Sequence, residues 1–292
     1  MQKINSELTF SIIICNFNYA NFVGDAISSA LNQNYHLRKF EVIVVDDGSS
    51  DNSKNIISGF NHYKNFVTIF HKKNYGQFAA FKSGIESARH KWICLLDSDD
   101  IFLPNKLETL AMFINSEKDA GLFLCHDLKV WDQQTGYSEK WFARNFIVNK
   151  NATINDFATT YPFTVPCGLI FHTSLINTLL KQISPIDWKR GADNPLVWGA
   201  FLINQKISYV HQTLSIYRVH DGNYFMGSGV NCFSPKINPF DRWPKLLKFL
   251  DNISSPNFDK TIFTANKKKL IAALKKLGRV WSIESHKTEF FD

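Results

Sequence analysis

Three carboxylates crowd into Asp97-Ser98-Asp99-Asp100, directly after the apolar run Trp92-Ile93-Cys94-Leu95-Leu96. A strand of such residues belongs in a core, and ending it in repelling negative charge is costly unless a cation compensates. Aspartates one residue apart at a strand end can both reach one hard divalent ion, which prefers oxygen ligands. A polar turn capping the next helix would use the same residue types. Two more polar clusters occupy the same kind of position. Asn16-Phe17-Asn18-Tyr19 closes the apolar run Thr9 to Cys15, and Asp46-Asp47-Gly48-Ser49-Ser50-Asp51 closes Phe40 to Val45.

The elements that must position these residues follow from periodicity. The near-continuous apolar run Thr9 to Cys15 reads as a strand covered on both faces, Phe40 to Val45 and Trp92 to Leu96 as buried strands, and Phe66 to Phe70 as a further strand. Between them, Phe22, Ala26, Ile27, Ala30 and Leu31 recur at helical spacing, Ile56, Ile57 and Phe60 mark a short helix, and Gly76 to Arg89 a third. This alternation over residues 9 to 97 predicts a parallel, doubly wound sheet with right-handed crossovers. Ligands of such sheets bind at the carboxyl ends of the strands, where Asn16, Asp47 and Asp97 to Asp99 all fall.

Further along, Pro104 leads into a helix with Leu107, Leu110, Ala111 and Ile114 on its apolar face. Gly121 to Trp131 and Thr164 to Phe171 read as strands, with an irregular aromatic stretch from Trp131 to Asn155 between them. Residues 193 to 203 form an apolar helix opened by Asp193, and Ile207 to Val210 and Ser215 to Val219 two short strands. From Pro239 the pattern turns to amphipathic helices, with Leu246, Leu247, Phe249 and Leu250, then Leu270, Ala273, Leu274 and Leu277 among lysines.

Composition bounds the function. A chain of 292 residues with 45% hydrophobic and 20% charged residues can bury a large core. Its formal charge of +7 and pI near 9.0 suit an anionic partner: a nucleotide, a phosphorylated lipid, a membrane surface or nucleic acid. Part of that excess sits in Lys267-Lys268-Lys269 and Lys275-Lys276. Cys15, Cys94, Cys125, Cys167 and Cys232 are scattered without metal-ligand spacing, as expected of reduced core thiols in the cytosol. The N-terminus has no signal-like apolar block and no segment has the length of a bilayer span.

Taken in order, these motifs carry a resemblance. Ser11-Ile12-Ile13-Ile14-Cys15-Asn16-Phe17-Asn18, Val44-Val45-Asp46-Asp47-Gly48-Ser49-Ser50-Asp51, Asn74-Tyr75-Gly76, and Leu96-Asp97-Ser98-Asp99-Asp100 with Pro104 resemble the ordered motifs of glycosyltransferase family 2. The match is specific over residues 9 to 110 and looser to about residue 223. There Gly191-Ala192-Asp193 resembles the segment supplying the family's catalytic base, and Tyr217-Arg218-Val219-His220 its Arg-x-His segment. Two positions depart from the pattern: Lys82 stands where many members carry Asn, and Phe17 where Tyr is common.

The resemblance implies an α/β fold of the GT-A type: a doubly wound, mostly parallel sheet with a Rossmann-like nucleotide-binding half, an acceptor-binding half and C-terminal amphipathic helices. The corresponding domains are residues 1–235, divided at about 9–110 and 111–235, and a basic helical extension, 236–292. It implies inverting transfer of a sugar from a nucleotide-sugar, with uracil the commonest base, to an acceptor hydroxyl on a glycan or lipid-linked acceptor. Cys15, Asn16, Phe17, Asp47, Lys73, Asp97 and Ser98 would form the nucleotide site, with Phe17 packed on the base and Asp47 accepting from a ring N–H. Cys15 also reads as a core thiol, and Asp47 also fits a turn and helix cap. Asp97, Asp99 and His220 would hold Mn²⁺ or Mg²⁺, and Asp193 would take the acceptor's proton.

Two other classes fit less well. A sugar-nucleotide nucleotidyltransferase normally has a Gly-rich, basic loop after the first strand, and Asn16-Phe17-Asn18-Tyr19 is not one. A non-catalytic glycan- or partner-binding relative would have lost a carboxylate, yet Asp47, Asp97, Asp99 and Asp193 are all present. The absence of G-x-G-x-x-G argues against a dehydrogenase. The expected location is cytoplasmic, with no nucleic-acid partner. The basic C-terminal helices read as a solvated face, with docking at the inner membrane face or on a protein as the alternative.

Overall fold

The computed structural model describes residues 8–117, 120–140, 151–152, 165–203, 207–223, 248–250, 252–253, 260–261 and 263–272. Its first half follows the apolar runs closely. Strands β1 (Phe10–Asn16), β2 (Phe40–Asp46), β3 (Phe66–Phe70) and β4 (Trp92–Asp97) are mutually parallel in the order β3-β2-β1-β4. The pleat sends alternate side chains to opposite faces. Ile13, Ile43, Val45, Ile93 and Leu95 enter one core, and Ile12, Ile14, Val42, Val44 and Leu96 the other. Helix α1 (Ala20–Leu31) covers the second face through Val23, Ala26, Ile27 and Ala30. After α2 (Ser53–Ser58), α3 (Gln77–Ser87) covers the first face through Phe78, Ala80, Phe81 and Ile85.

Beyond β4 the architecture departs from a doubly wound, mostly parallel sheet. The chain continues through β5 (Ile101–Phe102), α4 (Lys106–Ser116), β6 (Phe123–Asp132), β7 (Ser138–Lys140), β8 (Asn151–Ala152), β9 (Leu169–His172), α5 (Thr173–Leu180), α6 (Asp193–Leu202) and β10 (Ile207–Val219). The main path runs β3-β2-β1-β4-β9-β6-β10-β5, with β7 added to β6 and β8 to β10. Among the described residues of this half, five pairings are antiparallel: β4 with β9, β6 with β9, β6 with β7, β10 with β5 and β10 with β8. Of the pairings among those residues, β6 with β10 is parallel. The sheet is therefore mixed. The physical reason is that a strand buried on both faces has the same apolar pattern whichever way it runs.

Other expectations change in detail. The run from Thr164 to Phe171 is not one strand: Pro166–Gly168 forms a 3-10 turn ahead of the short β9, and Thr164 lies outside the described residues. The two strands expected at 207–210 and 215–219 are one strand, irregular in register between Val210 and Ser215. Phe22 turns from the α1 core to pack on His220, ring centroids 4.2 Å apart. Phe249, Leu250, Ile253, Phe263 and Leu270 join the core on the α3 face, whereas Leu246, Leu247, Ala273, Leu274, Leu277 and Cys232 lie outside the described residues.

Candidate active site

Register brings the polar clusters together. In the parallel ladder Asn16 lies beside Asp46, and Cys15 beside Asp97, so the carboxyl ends of β1, β2 and β4 form one rim. The loops leaving β1 and β2 are cross-linked there. Asn16 Nδ2 donates to Asp46 Oδ2 at 2.8 Å and to Ser49 Oγ at 3.2 Å, and the Ser50 N–H donates to Asn18 Oδ1 at 2.8 Å. Asp46 also caps its own turn by accepting from the Ser49 N–H at 2.9 Å. Phe17 stands on this rim, 38% exposed, with a ring face available for stacking. Ser98 is buried and Lys73 exposed, its Nζ 5.5 Å from the Tyr75 ring centroid. Burial first, then Asp97 and Asp47, push the Cys15 thiol up, so it stays protonated.

Asp47 is 2% exposed and accepts three internal hydrogen bonds. Oδ1 receives His71 Nδ1 at 2.7 Å and the Tyr75 N–H at 3.0 Å, and Oδ2 the Gly76 N–H at 2.7 Å. It thus anchors the Tyr75-Gly76 turn that leads into α3, distant in sequence, and not the helix that follows its own turn. On its far side His71 meets Ser83 Oγ of α3 at 2.9 Å. Gly48 (φ +76) is required where this turn crosses the 73–74 backbone, because a Cβ would lie 2.6 Å from Lys73 Cα.

The Asp97–Asp100 cluster divides into three tasks. Asp97 Oδ1 accepts from Gln77 Nε2 at 2.8 Å. Asp99 Oδ2 faces His220 Nε2 and Asn223 Nδ2, both at 3.3 Å. Asp100 is fully buried and accepts the Arg218 N–H at 3.0 Å, which pins the end of β10. Burial and the neighbouring Asp99 hold both Asp97 and Asp100 well above the usual carboxylate range, and Asp193 adds to the effect on Asp97. Crowded negative charge of this kind fits a divalent cation. Among the described residues, however, no three His, Cys, Asp or Glu side chains are grouped to hold one.

His220 sits against Phe22 and, edge-on, against Tyr19, whose hydroxyl donates to the Gly222 carbonyl at 3.1 Å. Its Nδ1 accepts the Gly222 N–H at 3.1 Å. A neutral ring so placed carries its proton on Nε2, toward Asp99, as a hydrogen-bond donor. The Arg218 side chain leaves the rim, bonding Asp25 at 3.0 Å and lying near the Phe22 and Trp131 rings.

Asp193 opens α6 and lies within electrostatic reach of Asp97. The link between them is Gln77. While its Nε2 holds Asp97, its Oε1 accepts the Gly191 N–H at 2.9 Å and the Ala192 N–H at 3.2 Å. Neither Gln77 nor His71 stands out in the sequence. Each is one polar residue beside a motif, and its partners are far along the chain. Asp187 and Asp221, two other carboxylates of this half, are exposed.

Carboxylates at the ends of parallel strands, an aromatic side chain beside them and an acid at a helix start are what the site of an α/β enzyme presents. The family model for glycosyl transferase family 2 matches residues 11–180. This is well over half of the chain, which therefore belongs to that family and is a glycosyltransferase. It is 28% identical to the glycosyltransferase GlyG of Streptococcus pneumoniae over 75% of this chain and 73% of that one. To an uncharacterized glycosyltransferase of Nostoc sp. it is 25% identical, over 76% and 68% of the two chains. S. aureus TarS 1-349 in complex with UDP-GlcNAc superposes with TM-score 0.66 and 18% identity, covering 92% of this chain and 72% of that one. The mannosyltransferase PcManGT from Pyrobaculum calidifontis, in complex with GDP-Man and Mn²⁺, gives 0.55 at 15% identity, covering 96% and 76%. At these identities the two structures speak for the fold alone. No helix among the described residues is long and apolar enough to cross a membrane.

Proposed function

We propose that this chain transfers a sugar from a UDP-sugar to the hydroxyl of a glycan or lipid-linked acceptor, with inversion, and that Asp193 is the general base. The observation carrying this reading is that Gln77 joins Asp97, at the end of β4, to the Gly191 and Ala192 N–H groups directly before Asp193. An attacking hydroxyl must lose its proton, and a helix N-terminus favours negative charge on a carboxylate placed there to accept it. Phe17 stacks on the base. A carboxylate has about four lone-pair sites; three of Asp47's are occupied, leaving one on Oδ2 for a base N–H. Likeness to TarS 1-349, one protein solved with UDP-GlcNAc and with UDP, supports the uridine donor.

Asp97 and Asp99 would hold Mn²⁺ or Mg²⁺, which when bound neutralises charge on the departing diphosphate. The crowded carboxylates and the likeness to a protein solved with Mn²⁺ support this. His220 would join as a ligand after Nδ1 gives up the Gly222 N–H, since Nε2 now faces Asp99 as a donor. Buried Cys15, Cys94, Cys125 and Cys167 support a cytoplasmic setting.

The test has two parts. Thermal shift with UDP, GDP, CDP and dTDP, each with and without Mn²⁺, identifies the nucleotide. UDP release is then followed from UDP-GlcNAc, UDP-glucose and UDP-galactose. Asp193→Asn preserves size and capping, and should lower turnover roughly 10²–10⁴-fold with UDP affinity unchanged. Near wild-type turnover in that variant removes Asp193 from the mechanism.

A further inference from the structure

We infer that Gln77 is the positioning residue that fixes the base relative to the donor site, by bridging Asp97 to the backbone that presents Asp193. The inference rests on the reading of Asp193 given above and adds a residue to it. Asp97 ends β4, whereas Asp193 starts α6, on a segment entering after β9 and α5. No strand pairing joins the 189–193 segment to β4, so its position depends on local contacts.

Those contacts converge on the first residues of α3. The Gln77 N–H donates to the Lys189 carbonyl at 2.9 Å. Gly76, at φ +102, lies so close to this segment that a Cβ would stand 2.5 Å from Lys189 Cα. The Gln77 side chain then spans the gap, Nε2 to Asp97 Oδ1 at 2.8 Å and Oε1 to the Gly191 and Ala192 N–H groups at 2.9 and 3.2 Å. An amide suits this task because one end donates and the other accepts. A carboxylate of the same length would repel Asp97, and a lysine would leave both backbone donors without their acceptor. The α3 start is itself anchored, since Asp47 accepts the Gly76 N–H at 2.7 Å. Nucleotide rim, Asp97 and Asp193 are thereby tied into one rigid unit. Reaction rate depends steeply on such alignment, and a misplacement of about 1 Å can cost on the order of 10²-fold.

The test combines exchange and kinetics on the full chain. In Gln77→Leu, hydrogen exchange at the Gly191 and Ala192 amides should rise about tenfold or more. Turnover of the best UDP-sugar, counted per UDP-binding site from calorimetry, should fall roughly 10–100-fold. UDP affinity should change less than about fivefold. Counting by UDP sites separates positioning from simple loss of folded protein. Gln77→Glu keeps the acceptor toward Gly191 and Ala192 and loses the donor toward Asp97. It should leave exchange near wild type and still slow turnover, and it serves as the working variant if Gln77→Leu does not fold.

Coupling is the deciding measurement. In an Asp193→Asn background, Gln77→Leu should cost no more than about twofold, because the residue it positions is already disabled. A full additional loss in the double variant overturns the inference, as does unchanged exchange in Gln77→Leu or wild-type turnover in Gln77→Glu. If Asp193→Asn alone turns over normally, the base assignment fails, and the exchange result still judges the bridge by itself.

Discussion

Asp47→Ala separates two tasks that the same carboxylate can perform. In the folded chain this side chain is 2% exposed and receives His71 Nδ1, the Tyr75 N–H and the Gly76 N–H within 3.0 Å. Removing it leaves the donors without their acceptor at a site with little access for water. Hydrogen bonds to a charged group contribute about 1.5–3 kcal/mol each, but three on one group are not additive, and a water entering the gap would restore part of the loss. About 3–4 kcal/mol of destabilisation follows, a fall in Tm of about 5–7 °C for a chain of this size. Thermal melts by circular dichroism read this directly. Calorimetry should also show UDP affinity reduced by about 1.5–3 kcal/mol, the loss of one hydrogen bond from a base N–H. Asp47→Asn, which keeps one acceptor oxygen, should fall between the two. A melt within about 2 °C of wild type in Asp47→Ala would refute the anchoring of His71 and the Tyr75-Gly76 turn, and unchanged UDP affinity the role in base recognition.

Lys106 is fully buried, with Nζ bonded to the Cys167 carbonyl at 2.7 Å, His126 at 2.9 Å and Ser215 Oγ at 3.1 Å, and burial lowers its pKa to about 8. Between pH 8 and the ordinary lysine value the unfolded chain holds a proton that the native state has released, so stability rises with pH across that window. Lys106→Met should remove this rise, about 3 kcal/mol in all; parallel denaturation curves for both proteins from pH 7.5 to 10 would contradict it. Gly76→Ala should lose well over 2 kcal/mol, from positive φ together with the Lys189 clash, whereas Gly136→Ala, at φ +72 with nothing within 4 Å, should lose about 1 kcal/mol. Equal losses in urea titration would show that the close approach has no consequence. Asp99→Ala should abolish Mn²⁺-dependent stabilisation by UDP while leaving the metal-free melt near wild type, and excess EDTA should stop wild-type UDP release; full activity in EDTA would exclude the metal.

What the sequence determines here is what local pattern can encode. Runs such as Ser11 to Cys15 and Phe40 to Val45 have one low-cost fate, burial on both faces, and the polar residues closing them mark the strand ends. The carboxylates at Asp47, Asp97 and Asp99, the exposed ring of Phe17 and the helix start at Asp193 are legible on those grounds. Strand direction is not, because apolar alternation is unchanged when a strand is reversed; β9 runs against both β4 and β6 with nothing in Leu169 to His172 to announce it. Partnership is equally silent. Asp47 anchors the turn before α3, Phe22 leaves its helix core for His220, and Gln77 joins Asp97 to the segment before Asp193. A hydrogen bond needs its two ends within about 3 Å in space, and residues far apart in the chain meet at that distance only after the sheet and its covering helices have packed.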